Sequence, residues 1–211
     1  MEPRPKPLGI IAAIAVAAGL AAIAIYGLGG RTTQAPEATS SESSELPASL
    51  TKLQATAGNP EVPDAVFVDG EGRQVHISDF RGRFVLLNMW AKWCPPCINE
   101  LPSLARAQAA LPKDRIVVVA VDLEHNEPAE VLEFLRAHGA EGLTAYVDRD
   151  LALMRSFKAY GLPLTVVIDP QGHEVARAFG PEQWDGKDAL SYLRGLIAPK
   201  DQRVGTGTSP R

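Results

Sequence analysis

An α/β domain with a central sheet and an N-terminal β-hairpin, placed behind a transmembrane helix, is the architecture the sequence predicts. Three observations carry it. Apolar runs at Phe84–Met89, Ile116–Val121 and Leu164–Ile168 alternate with helix-period segments, as strands covered on both faces should. Both cysteines of the 211-residue chain lie in Trp93-Cys94-Pro95-Pro96-Cys97, where the first run gives way to a helical pattern. Residues Leu8 to Leu28 carry no charge.

The elements follow in order. As a helix, Leu8–Leu28 would span roughly 31 Å at ~1.5 Å per residue, about one hydrocarbon core. Arg4 and Lys6 precede it, so residues 1–7 are expected in the cytoplasm and 8–28 as an anchor. The competing reading is a cleaved signal peptide, whose apolar region usually runs about 7–15 residues. Residues 29–61 read as a flexible linker, because Thr32–Pro36 and Ser40–Glu45 lack the apolar side chains of a core. A short amphipathic helix around Leu46–Leu53 is an alternative for its end. The folded domain is expected over 62–197. Ala65–Val68 and Gln74–Ile77, joined through Asp69-Gly70-Glu71-Gly72, read as a hairpin. Phe84–Met89 is the central strand. A helix runs from Pro95 to about Leu111 with a kink at Pro102, where an N–H is missing. Ile116–Val121 is a buried strand, Pro128–His138 a helix with Val131, Leu132 and Leu135 on one face, and Leu143–Val147 a short strand. Leu151–Tyr160 is a helix, Leu164–Ile168 and Glu174–Phe179 a strand pair, and Asp188–Ile197 the closing helix. Residues 198–211, rich in Gly, Thr and Pro, read as a disordered tail.

A net charge of −4 with scattered basic residues offers no nucleic-acid face. With both cysteines in one motif, no structural crosslink remains, and the domain must rest on an ordinary apolar core. A C-x-x-C between a strand and a helix is a redox arrangement. Cys94 falls where the helix begins, and free N–H groups and the helix dipole there favour a thiolate. It is therefore the expected exposed nucleophile, and Cys97, one turn on, the more buried resolving thiol. Pro95 and Pro96 occupy the first turn, where a missing N–H is tolerated. The alternative, a metal site, needs two further ligands. His76, His125, His138 and His173 fall in separate elements without ligand-like spacing, so no metal and no cofactor beyond the Cys94–Cys97 disulfide is expected.

Trp93-Cys94-Pro95-Pro96-Cys97 followed by Glu100-Leu101-Pro102 resembles the signature of the membrane-anchored thioredoxin-like proteins of the TlpA/ResA group. Ile77–Arg83 resembles the segment ahead of that family's active-site strand, and Tyr160–Thr165 the segment with its cis-proline. The resemblance covers about Val62 to Ile197. Tyr26-Gly27-Leu28-Gly29 and Phe179–Trp184 are most similar to the TlpA-like branch. It implies a thioredoxin fold whose helix and strand between about Glu127 and Val147 are the central insertion that thioredoxin lacks.

The resemblance also implies roles. Pro163 is cis and faces the disulfide, and the backbone of Leu162 pairs with an extended substrate segment. Leu164 stands where many relatives have Thr, which would make the groove more apolar. Trp93 forms the rim of that groove, whereas Trp90 packs in the core. Asn88 stands six residues before Cys94, where thioredoxin has a buried Asp that assists proton transfer. Asn cannot titrate, so another group must take the Cys97 proton. Glu100 is one candidate, although a solvated helix carboxylate is the expectation for it. Lys92 either lowers the Cys94 pKa and steers acidic partners or is a plain surface lysine.

In function, the resemblance implies a thiol:disulfide oxidoreductase, tethered to the outer face of a bacterial inner membrane and facing the periplasm. It would reduce partner cysteines: copper-site proteins of cytochrome oxidase, their copper chaperones, or apocytochrome c. Electrons would come from a transmembrane reductase, because glutathione does not buffer the periplasm. One alternative is a disulfide-donating oxidase, which needs a Cys94 pKa of ~3.5 rather than ~7. Pro95 and Pro96 remove two N–H donors beside Cys94 and argue against it. The other is a copper-binding chaperone of the same fold, whose cysteines are usually spaced by three rather than two. A peroxidase is disfavoured, since no Thr-x-x-Cys occurs.

Overall fold

The computed structural model describes residues 46–198. The expected cytoplasmic N-terminus (1–7), anchor (8–28), first part of the linker (29–45) and nearly all of the tail lie outside these residues. Among the described residues no helix is long and apolar enough to cross a membrane.

Strands β1 (Leu53–Ala55), β2 (Val66–Val68), β3 (Gln74–His76), β4 (Phe84–Trp90), β5 (Ile116–Asp122), β6 (Tyr146–Val147), β7 (Leu164–Ile168) and β8 (Glu174–Phe179) form one sheet. Helices α1 (Pro95–Ala110), α2 (Pro128–Ala137), α3 (Ala152–Ser156) and α4 (Lys187–Ile197) cover it. The strand order is β1-β8-β7-β4-β5-β6-β2-β3. β4 and β5 run parallel in full register from Phe84↔Ile116 to Trp90↔Asp122, while β7 pairs antiparallel with β4. The expected hairpin forms as β2–β3 and joins the sheet through Val68↔Val147, on the short strand of the central insertion.

The apolar runs at the centre make sense in this topology. Alternate residues of β4 serve opposite faces: Leu86, Trp90 and their neighbours pack under α1, α2 and α4. Val85, Leu87 and Met89 pack with Phe80, Leu153 and Phe157 on the other side. With helices on both faces, no polar alternation is needed. The outer edge of β5 runs past the end of two-residue β6, and there Gln108 of α1 accepts the Val118 N–H at 2.6 Å. A buried backbone donor is thereby satisfied by a side chain instead of a strand.

Three element boundaries differ from expectation. The linker does not extend to 61, nor is there a helix over Leu46–Leu53. Leu53–Ala55 instead pairs antiparallel with Ala176–Ala178, and Leu50 and Leu53 are 2% and 5% exposed. Two leucines in an otherwise polar stretch are enough to seat an edge strand, because β8 offers unpaired backbone groups beside an apolar face. Thr56 reinforces this, its hydroxyl donating to the buried Glu174 carboxylate at 2.6 Å. The strand expected from Leu143 shrinks to Tyr146–Val147. The helix expected over Leu151–Tyr160 shrinks to Ala152–Ser156, ending before Lys158 at φ 53°. Helix α1 does run through Pro102.

If Leu53 belongs to the fold, Leu53→Ala should lower stability by about 2 kcal/mol or more, as buried Leu→Ala changes do. A position in a free linker would shift it by less than about 0.5 kcal/mol. Urea unfolding followed by circular dichroism distinguishes the two.

Candidate active site

The site lies at the carboxyl end of β4, where the chain leaves the sheet and enters α1. Cys94 is the N-cap of that helix, in extended conformation, with Pro95 and Pro96 as its first two residues. Its N–H donates to Ala91 O at 3.1 Å and its carbonyl accepts the Ile98 N–H at 3.1 Å. The Cys94–Cys97 disulfide is formed, with an S–S distance of 2.08 Å. The expectation of an exposed Cys94 needs correction: in this oxidised state it is 4% exposed and Cys97 1%. Both sulfurs sit with the apolar cluster under α1, since the short loop folds the pair back toward Trp90 and Leu101.

Two large aromatic side chains are exposed among the described residues. Trp93 is 68% exposed, and Tyr160 is 82% exposed although it stacks on Phe179 at 4.3 Å. The Leu162–Pro163 bond is cis, and Leu162 is half-buried, packed against both core clusters. Leu164 does not make the groove apolar, contrary to expectation. It is fully buried among Met89, Val166 and Phe157, because the pleat of β7 turns residue 164 to the face opposite residue 165. Trp90 is a core residue, stacked on Phe134 at 5.6 Å.

Thr165 is the residue of β7 that matters here. It pairs with Asn88 across the sheet, and the Asn88 amide donates to its hydroxyl at 2.9 Å. The same amide nitrogen donates to Glu100 Oε2 at 3.0 Å. Glu100 is therefore not the solvated helix carboxylate expected for it. It is 3% exposed. Its Oε1 accepts the Trp184 indole N–H at 2.7 Å and the Glu182 backbone N–H at 3.0 Å. The helical repeat places it one turn beyond Cys97 on the inward face of α1. Burial pushes its carboxyl from 4.5 up to about 7, against the three donors and with help from the nearby Glu182 charge. A carboxyl poised there exchanges a proton at neutral pH, which Asn88 cannot do.

Lys92 is turned toward acids. Its ammonium lies 4.0 Å from Glu130 Oε2, and its backbone N–H donates to Glu124 Oε2 at 2.5 Å. The residues that sequence reasoning missed are Thr165, Glu182 and Trp184. Trp184 lay inside the quoted Phe179–Trp184 segment without a role. Only the fold shows that this turn delivers an indole N–H and a backbone N–H to α1.

The model of the AhpC/TSA family matches residues 59–180. A protein of Bacillus subtilis (strain 168) named thiol-disulfide oxidoreductase ResA is 30% identical over 115 residues, 54% of this chain and 63% of that protein. The chain thus spans just under two thirds of that relative. ResA of Geobacillus thermodenitrificans (strain NG80-2) is 30% identical over 123 residues, 58% of this chain and 70% of that one. A crystal structure from Chlorobium tepidum, assigned as a thiol:disulfide interchange protein DsbE, superposes with a TM-score of 0.58 at 26% identity, covering 66% of this chain and 97% of that one.

Two outcomes are expected. After reduction, Cys94 should alkylate well before Cys97 at neutral pH, read by mass spectrometry of quenched samples; equal rates would contradict the site geometry. Glu100→Gln should flatten the pH dependence of stability. The Glu100 pKa is raised in the fold, so its contribution is complete below the unfolded value near 4.5 and is lost as pH rises to about 7. The wild type should therefore lose on the order of 1–3 kcal/mol more than the variant across that window. Urea titrations at several pH values measure it.

Proposed function

The chain belongs to the AhpC/TSA family, as a thiol-disulfide oxidoreductase of thioredoxin fold, and from that premise we propose a finer reading: it is a TlpA-like reductase of particular protein cysteine pairs, tethered to the bacterial inner membrane and working in the periplasm. Its partners in this reading are copper-site proteins of cytochrome oxidase, their copper chaperones, or apocytochrome c, and a transmembrane reductase supplies its electrons. The uncharged Leu8–Leu28 stretch behind Arg4 and Lys6 supports the tether.

The observation that carries the reductase reading is the buried Glu100 carboxyl one turn from Cys97, held near neutrality. The Cys94 thiolate attacks a partner disulfide and forms a mixed disulfide, releasing one partner thiolate. Glu100 accepts the Cys97 proton, and the new thiolate attacks the Cys94 sulfur. The partner leaves as a dithiol, and Cys94–Cys97 is left oxidised. Two electrons have passed from this chain to the partner. Pro95 and Pro96 act in the same direction, since α1 begins with two residues that have no N–H to stabilise the Cys94 thiolate. A less stabilised thiolate makes the reduced form the better donor.

The test has two parts. Equilibration with a thiol redox buffer should give a potential nearer the thioredoxin value of about −270 mV than the value of about −120 mV of a strong oxidant. Full-length Cys97→Ala, expressed in bacteria, should accumulate mixed disulfides through Cys94 in washed membranes. A potential near the oxidant value, or trapping only in the soluble fraction, would overturn the reductase or the tether respectively.

A further inference from the structure

Asp122 closes β5 beside the redox loop, in register with Trp90. It is fully buried, and the disulfide mechanism does not use it. Asn126 donates to its Oδ2 at 2.5 Å, but among the described residues no donor reaches its Oδ1. A buried carboxylate oxygen without a donor is costly, unless the group carries a proton. A second carboxyl, Glu124, lies within hydrogen-bonding reach of the Asp122 side chain. Two acceptors in contact are stable only when they share a proton. Glu124 in turn holds the redox loop, because its Oε2 accepts the Lys92 N–H two residues before Cys94.

We propose that Asp122 is a positioning residue for the redox site: it holds a proton against Glu124, and that shared proton keeps the Glu124 carboxylate in place to fix the loop carrying Trp93 and Cys94. The inference rests on the dithiol reading of that loop given above.

The surroundings agree. From the loop after β4, Lys92 supplies a partial counter-charge to Asp122, and its ammonium lies 4.0 Å from Glu130 of α2. Arg149 sits behind Asn126, bonded to its carbonyl at 3.1 Å, with its charge taken by Glu127 at 2.7 Å. The Asp148 carboxylate is turned away and caps α3 through the Ala152 and Leu153 N–H groups. Trp90 and Phe134 close the apolar side. No cation of this set bonds to the Asp122 carboxyl. Burial and the Glu124 charge thus raise Asp122 to about 7. When the shared proton leaves to solvent, the two carboxylates repel. Half-buried Glu124 is the one free to swing into water, and the Lys92 N–H loses its acceptor.

The test reads that N–H directly. In the oxidised full chain, held in detergent and carrying Glu100→Gln to remove the second buried carboxyl raised to about 7, amide exchange at Lys92 is followed by NMR. Protection, corrected for intrinsic exchange, should fall about tenfold between one pH unit below and one above the Asp122 value. Asp122→Asn donates an N–H to Glu124 at every pH, so its protection should stay at the low-pH level throughout. Glu124→Gln, at a more exposed position, gives a second arm should Asp122→Asn fail to fold: its amide donates to the ionised Asp122, no carboxylate pair remains to repel, and Lys92 protection should again stay at its low-pH level. An unchanged transition in either folded variant, or none in the parent, overturns the proposal. Because the oxidised chain is used without a partner, failure of the reductase reading would show separately, as absence of disulfide reduction with Lys92 protection intact.

Discussion

Burying a carboxyl group beneath the redox helix is the constraint around which this molecule is arranged. Glu100 sits in a region where an isolated charge would be several kcal/mol out of place, and the fold answers with three donors drawn from separate parts of the chain. Asn88 comes from the central strand, Trp184 and the Glu182 N–H from the turn after β8. These segments are far apart in sequence and meet only if β4, β7 and β8 take their observed order. The buried Glu100 carboxyl and the sheet's topology therefore specify each other. The Glu182 carboxylate is in turn held by the Lys52 N–H, just before β1, so the added N-terminal strand also leans on this network.

The division of labour between the two faces of the sheet follows from period-two geometry. Asn88, Thr165 and Asp122 all point to the α1 face, among Leu86, Trp90 and Ala120. On β4, β5 and β7 the opposite face carries Met89, Val121 and Leu164 with their apolar neighbours. Along these three central strands the buried polar side chains thus share one layer, toward one end of the sheet. A residue's role changes completely on moving by one position, as Leu164 and Thr165 illustrate.

Much of this was legible from the chain. The strand–C-x-x-C–helix junction, the boundaries of β7 and β8 and the burial of Trp90 follow from apolar runs, periodicity and helix-end chemistry. What was not legible depended on contacts between distant segments. A glutamate one turn past a cysteine looks solvated until the fold supplies the lid of Trp184 and Glu182. Leu164 looked like a groove residue because its neighbour Pro163 is one, and only strand register decides which way it faces. The segment around Leu53 read as linker because three strand residues with one buried leucine carry almost no signal without their partner strand. That the Oδ1 of Asp122 lacks a donor among the described residues is a property of the packed surroundings alone.

The sheet ends in very short strands. β1 and β3 have three residues each, whereas the inner β4 and β5 have seven. A long open edge would template the addition of further chains, and this molecule offers almost none. Each margin therefore presents few backbone groups on which a second sheet could grow. Short end strands act here as a built-in stop to polymerisation of the fold, at the cost of little buried area.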